Sequence, residues 1–366
     1  MSVVALKDIA RQVGCSRSAV SYALRNSRMI SDTLRARIQA TARELGWRPD
    51  AELARRMALV RQTLLDGERP HLALVINKRF SELTSEHAPR KHLAGARDYA
   101  EEKGYHADIF NLAEQPLKPA RLRNILHARG IQGIVFLMTL KPRLEDEYLA
   151  LGDEFACVVA GARPPSAGFH TILNDYHGAG HLGVTRLLEK GYRRIGAVLP
   201  RGVDAPLTFA FTGGLTSVPR QRSEPASLPI LHTGGRETHI AENTFAEVRS
   251  WYAEHEPEAI LTTDPDNLTR ALADVSPRAE AVPIYSLDFD EGQRCRGGAD
   301  LRQYQVGRAA VDVVVAQLHR GESGSPEYRR IVQIEPCWAE KASGAGQLPV
   351  KRRRTSVVAE RCLVSA

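Results

Sequence analysis

The stretch that most constrains this chain is Leu6 to Asn26, LKDIARQVGCSRSAVSYALRN. Read at the helical period, Leu6, Ile9, Ala10 and Val13 form one apolar stripe, and Ala19, Val20, Ala23 and Leu24 form a second. Gly14-Cys15-Ser16 interrupts them. A tight turn at that point needs a residue at ease with positive φ, which Gly14 supplies. Ser16 is placed to accept a bond from a free backbone N–H at the start of the second helix. The spacing therefore predicts two short helices joined by a turn. The outer face of the second helix carries Arg17, Ser18, Ser21, Tyr22, Arg25 and Asn26, side chains able to meet base edges and phosphates.

A third helix is expected next. Ser31 caps it, Leu34, Ile38, Thr41/Ala42 and Leu45 form its buried stripe, and Gly46 ends it. Trp47 is expected to pack back on the bundle. Pro49 then pushes the residue before it out of the helical region. Residues 51–61, AELARRMALVR, have helical spacing at Leu53, Met57 and Leu59/Val60 but no folded partner in reach. So short a helix is marginal alone in water, which makes 51–62 a hinge that orders only when held.

Charge localises the contact surface. The 366 residues carry a net charge of +7, and residues 1–62 hold twelve Lys/Arg against five Asp/Glu, which accounts for all of it. Residues 341–366 add six bases and one acid, so the middle of the chain is slightly acidic. A basic head on a near-neutral body points to nucleic acid. Cys15, Cys157, Cys295, Cys337 and Cys362 are odd in number and widely spaced, which argues against a disulfide framework or a thiolate zinc site. Neither a signal peptide nor a run of ~20 apolar residues is found, so a cytoplasmic protein without membrane contact is expected. No Gly-x-Ser-x-Gly, HExxH or phosphate-binding glycine loop occurs, and the histidines are scattered. No catalytic residue, metal or cofactor is expected.

From His71 the pattern becomes short apolar runs alternating with amphipathic helices. Strands are expected at 71–76, 105–112, 131–138, 156–162, 170–174, 193–199, 228–233, 259–264 and 282–289. Helices are expected at 91–104, 121–130, 144–152, 178–191, 205–216, 247–255 and 267–275. Near-continuous apolar strands between helices mean parallel sheets covered on both faces, in two similar lobes. Ligands of such folds sit at the carboxyl ends of the strands. That rule nominates Asn77, Lys78, Arg79 and Phe80, then Met138 and Thr139, then Arg163, Asn174 and Asp175, and finally Asp264, Asp288 and Asp290. Polar groups that pair with hydroxyls, beside a stacking ring, suit a sugar, although a strand-end Asp caps a helix equally well.

LKDIARQVGCSRSAVSYALRN, its continuation SDTLRARIQATARELGWRPD and the LARRM hinge resemble the head of the lac-repressor (LacI/GalR-type) family of bacterial transcription regulators. The resemblance implies base reading by Arg17, Ser18 and Tyr22, and backbone contacts from Ser16, Ser21 and Asn26. Arg35, Arg37 and Arg43 read as a solvated helix face. The family hinge pairs with its dimer mate in the minor groove and wedges an apolar lever between base pairs. Leu53 and Arg56 or Met57 fall in that segment. Ungapped counting puts the lever on Arg56, one extra residue puts it on Met57, and Met57 is preferred because a wedge between stacked bases should be uncharged. Tyr22 stands where the family usually has Arg.

The body resembles the ligand-binding core of the same family through ILNDYHGAGHLGVTRLLEKGYRRIGAVL, ILTTDPDNLTRAL, YSLDFDEG and YQVGRAAVDVVVAQLHRGE. This implies a helical head (1–50) and hinge (51–62). An α/β two-lobed, periplasmic-binding-protein-like core (63–340) of two doubly wound parallel sheets follows. Lobe one would span about 70–163 and 296–325, and lobe two about 164–295 and 326–340. The tail 341–366 reads as disordered and lacks the leucine heptads of tetrameric members, so a homodimer is expected. One departure lies near 205–216, where the family often has Arg before an apolar-Gly pair. Here the residues are PLTFAFTGG, and the TSVPRQRSEPA that follows reads as loop. The resemblance implies a repressor of a near-palindromic operator controlled by a small ligand, a sugar first. A sugar-processing enzyme or binding protein with an appended DNA-binding head is the alternative.

Overall fold

The computed structural model describes residues 4, 6–24, 30–47, 69–79, 81, 86–137, 148, 150–161, 168–221, 228–273 and 275–341. The hinge, the tail beyond residue 341, Asn26, Leu53, Arg56, Met57, Phe80, Met138, Thr139 and Arg163 lie outside them. In the head, α1 (Leu6–Val13), α2 (Arg17–Leu24) and α3 (Asp32–Glu44) pack around Ile9, Val20, Ala23 and Ile38, all fully buried. Gly14 has φ +73°, as the turn requires. Ser16 Oγ accepts from Ala19 N at 3.1 Å and Ser31 Oγ from Leu34 N at 3.4 Å, so both predicted caps form. Trp47 packs against the same core.

Among the described residues the body builds two six-stranded sheets. In chain order its elements are β1 (His71–Ile76), α4 (His87–Glu102), β2 (His106–Asn111), α5 (Pro119–Ala128), β3 (Gly133–Leu137), β4 (Ala156–Ala160), β5 (His170–Asn174) and α6 (Tyr176–Glu189). Then come β6 (Ile195–Pro200), α7 (Arg201–Asp204), α8 (Ala210–Gln221), β7 (Ile230–Thr233), α9 (Phe245–His255), β8 (Ala259–Thr262), α10 (Pro265–Leu272) and α11 (Pro277–Ala281). The last are β9 (Ile284–Ser286), β10 (Gly297–Asp300), α12 (Gln303–Arg320), β11 (Ile331–Ile334) and β12 (Cys337–Glu340). The first sheet has the order β11-β5-β4-β3-β1-β2 and the second β12-β10-β9-β8-β6-β7; every pairing is parallel except β10 with β12.

Strand pairing redraws the lobe limits expected from the sequence. β5 and β11 belong to the first sheet rather than to lobe two, and β10 belongs to the second sheet rather than to lobe one. The chain crosses between lobes after β5, after β10 and after β11. Each crossing leaves a strand at its carboxyl end. The parallel partners of those strands therefore point their own carboxyl ends at the same junction.

One local expectation also changes. The stretch at 216–221 is not loop, because α8 runs on through it with Leu215 and Val218 buried in the second lobe's core. The helix expected at 144–152 lies mostly outside the described residues; Tyr148 is helical and a short 3-10 turn follows at Ala150–Asp153.

α12 is fixed to lobe one by close packing on α4. Gly307 sits where a Cβ would lie 2.1 Å from the carbonyl oxygen of His92, so only glycine lets the two helices approach. That contact matters because α4 and α12 both begin at the lobe junction.

Candidate nucleic-acid interface and effector cleft

The head presents its contact face by burying the opposite one. Val20 and Ala23 turn inward, which leaves Arg17, Ser18 and Tyr22 outward on α2, with Tyr22 37% exposed. Ser16 is exposed and Ser21 half-buried beside them. The other arginines divide by role. Arg37 donates to the Val13 carbonyl oxygen and Gln39 to that of Ala23 (3.0 Å), so α3 closes the carboxyl ends of α1 and α2. Arg35 pairs with Asp32 and reaches the Ile30 carbonyl. Arg35 and Arg37 thus hold the head together rather than forming a plain solvated face.

At the lobe junction the nominated residues separate into pins and open groups. Asn174 is buried, donating to the Leu301 carbonyl (2.7 Å) and accepting from the Tyr176 hydroxyl (3.3 Å), which ties one crossing to another. Asp175 caps α6 through Gly178 N at 2.8 Å and lines a shallow recess of about 210 Å³ with His181, Thr185 and Glu335. Asp264 caps α10 and also accepts from Ile240 N at 2.7 Å. Lys78 is buried against Glu86 (2.7 Å), while Asn77 is half-buried and Arg79 exposed after β1.

Asp288 is different, because it faces the other lobe. Its Oδ1 lies 3.0 Å from His87 Nε2 and accepts from Gln303 Nε2 at 3.0 Å. Gln303 Oε1 in turn meets His92 Nε2 at 2.6 Å, and Lys91 Nζ reaches Asp290 at 2.7 Å. Three side chains of α4, one of α12 and the loop after β9 so meet across the junction. Burial lowers the His87 pKa, but Asp288 and then Asp290 outweigh it and leave it raised. Burial likewise raises Asp288, and His87 and Gln303 reverse that, so its pKa is lowered. Burial pushes His92 down to about 4, only partly offset by the bond to Gln303, so the ring is neutral at pH 7.

A second cluster, which the sequence reading missed, surrounds the departure at 205–216. Asp204, fully buried, accepts from the Thr212 hydroxyl (2.5 Å) and from Phe211 N (3.1 Å), and its Oδ2 is 3.2 Å from His232 Nε2. It resembles a nucleophile–base–acid triad in composition only. His232 turns the same nitrogen to both Thr212 and Asp204, whereas a relay needs one ring nitrogen for each. Beside it Phe209 is 43% exposed and stands edge-on to the His232 ring at 5.6 Å. Thr208 and Phe209 both hold left-handed backbone, φ +56° and +57°. Two consecutive non-glycine residues in that region store about 1–2 kcal/mol each, and such strain clusters where a ligand is bound. Thr208→Gly relieves that strain but adds about 0.5–1 kcal/mol of unfolded-chain entropy cost, so a small net gain, up to about 1 kcal/mol, is expected in urea unfolding; a net loss of about 1 kcal/mol would show that no strain is stored there. The only sequence signal for this cluster was the missing family arginine.

Comparison with known proteins places the chain. Residues 5–50 match the family described as bacterial regulatory proteins, lacI family. Catabolite control protein A of Staphylococcus xylosus is 26% identical over 212 residues, 58% of this chain and 56% of that protein. The ribose operon repressor of Escherichia coli K12 is 23% identical over 255 residues, 63% of this chain and 73% of that one. The chain thus spans little more than half of the first relative and about three quarters of the second. Among solved structures, the transcriptional regulator CelR–cellobiose complex aligns over 92% of this chain and 98% of its own, with a TM-score of 0.53 and 18% identity, a likeness of fold. The helix-turn-helix geometry and these matches agree: residues 5–50 form a head of the lacI family of bacterial regulatory proteins, joined to a two-lobed core that shares its fold with a solved transcriptional regulator.

Proposed function

We propose that this protein is a transcription repressor that binds a near-palindromic operator as a homodimer and is controlled by a saccharide held between its lobes. The observation that carries the DNA-binding half is the exposed row Arg17, Ser18 and Tyr22 on α2, standing on a fully packed three-helix core. Two such helices would enter successive major grooves about one helical turn apart. The ligand half rests on the junction, where Asp288 and Asp290 of the second lobe meet His87 and Lys91 of the first, and on the exposed ring of Phe209, which follows β6 in the second lobe. Hydroxyl pairing by the carboxylates and imidazole, with a ring to stack on, suits a polyol. The relatives named for ribose and the regulator solved with cellobiose support that class. Asn77, Arg79, Phe80, Thr139, Arg163, Asn174, Asp175 and Asp264 remain candidates at the same strand ends. Asn174, Asp175 and Asp264 would act by holding the cleft's shape.

A ligand shifts the protein only through differential affinity for two lobe arrangements. Here those arrangements would decide whether the paired 51–62 segments, with Leu53, Arg56 and Met57, order on DNA. We read the protein as non-enzymatic and cytoplasmic. The matched relatives are regulators, and among the described residues no helix is long and apolar enough to cross a membrane. Selection of bound sequences from random DNA by the full chain at ~0.15 M salt is expected to enrich one near-palindrome. Enrichment of nothing beyond random sequence would end the regulator reading. A thermal-shift screen of sugars addresses the ligand, since saturation at about 100 times Kd adds about 2.7 kcal/mol.

A further inference from the structure

The first sheet carries a second chemical feature, at its amino-terminal corner, far along the strands from the lobe junction. β1 and β2 pair in parallel with His71 opposite His106. Strand side chains repeat every two residues, so His71, His106 and Asp108 share one face. It is the face on which Ala73, Val75 and Phe110 pack under α5. Among the described residues β2 is the edge strand, and no further strand covers the corner. His71 and His106 are 35 positions apart in the chain, and only the strand register joins them.

We propose that His71, His106 and Asp108 form a three-ligand site for a divalent transition-metal ion, zinc before others. One ligand atom from each residue lies within 4.8 Å of the other two. The Asp108 carboxylate divides its oxygens between the rings, with Oδ2 2.8 Å from His71 Nδ1 and Oδ1 3.8 Å from His106 Nε2. The rings stand edge-on with centroids 4.9 Å apart. Bond lengths of about 2.0–2.2 Å in a tetrahedral zinc site put ligand atoms about 3.4 Å from one another. The present spacings bracket that value, and the half-exposed rings have room to turn. The side chains are 34%, 58% and 13% exposed for His71, His106 and Asp108, so the carboxylate is sheltered while the imidazoles are open to entry. Two imidazoles and one carboxylate suit zinc, nickel or copper, whereas magnesium and calcium prefer all-oxygen shells. Three protein ligands leave a fourth position for water.

Arg129 is the competing cation. Its Nη1 is 3.5 Å from Asp108 Oδ1 while its guanidinium lies over the Phe110 ring. A metal ion would displace it from the carboxylate and leave it on the ring. His71 is also the first residue of the strand that follows the head-to-body segment. Metal binding would clamp that residue to the edge strand, an input separate from the sugar.

The test uses the full chain, freed of metal with chelator and titrated calorimetrically with zinc chloride. Binding of one equivalent is expected, with magnesium chloride giving none. His106→Gln should weaken zinc by more than the roughly 10–100-fold typical of losing an outer partner. Arg129→Gln should bind zinc more tightly at unchanged stoichiometry. Cobalt(II) bound to the wild type should show the visible bands of low-coordinate cobalt with nitrogen and oxygen ligands. Equal zinc affinity in His106→Gln, or a spectrum dominated by thiolate charge transfer, would place the metal on the cysteines and overturn the assignment. Neither readout depends on operator or sugar binding.

Discussion

Asp288→Asn is expected to destabilise the protein by about 2 kcal/mol near pH 6, and by much less at alkaline pH. Removing one partner of a fully buried ion pair costs about 3–5 kcal/mol. About a fifth of each side chain of the His87–Asp288 pair still meets solvent, which lowers the figure. The pH dependence follows from the shifts. His87 has a raised pKa in the folded state, so its contribution is complete below 6.5 and is lost as pH rises through the folded value. Asp288 has a lowered pKa, so its contribution is present above 3.8 and is lost on acidification through its own folded value. His92 acts in the opposite sense to His87. Depressed to about 4 by burial, it adds nothing above 6.5, where it is neutral in both states, and opposes the native state by up to about 3 kcal/mol as pH falls from 6.5 toward 4. Lys91 and Asp290, paired across the same junction, remain in the variant. Urea unfolding of both proteins from pH 5 to 9 separates these contributions. A destabilisation that does not change with pH would mean that Asp288 acts by packing and the Gln303 bond alone.

Arg17→Ala is expected to abolish most discrimination at one operator position, about 1–3 kcal/mol or roughly 5–150-fold, while affinity for random DNA changes little. The side chain is exposed on α2, whose buried residues are Val20 and Ala23, so the head stays folded. Arg37→Ala makes the contrast. It removes the bond to the Val13 carbonyl and should lower the stability of the head, with no step in the salt dependence of binding. Competition binding against operator and random DNA at several salt concentrations distinguishes them. Equal loss on all sequences for Arg17→Ala would remove it from the base readers and make it a phosphate contact.

The head was legible in sequence because everything that specifies it is local: a helical stripe, a glycine turn, and serines three residues ahead of the N–H groups they cap. The alternation of strands and helices was legible for the same reason. The lobe limits were not. β10 opens on Gly297-Gly298 and β11 shows no clean apolar run, so which sheet each joins is decided by pairing with strands more than a hundred residues away for β11 and by Ser286 for β10. Individual cleft residues were only partly legible. A strand-end aspartate has one appearance in sequence and two fates, helix cap at Asp175 and Asp264, junction ion pair at Asp288. His87, His92 and Gln303 carried no signal, because their network joins side chains about 200 positions apart.

The three crossings between the lobes bear on synthesis. β5 acquires its outer neighbour only when β11 emerges, about 160 residues later. At roughly 5–20 residues per second that is a wait of about 8–30 s, during which one edge of the first sheet and the bare face awaiting α12 are unprotected. A ribosome stalled before residue 303 would therefore hold a half-built lobe, not a finished domain. Chaperone occupancy on the growing chain should persist until α12 has cleared the exit tunnel.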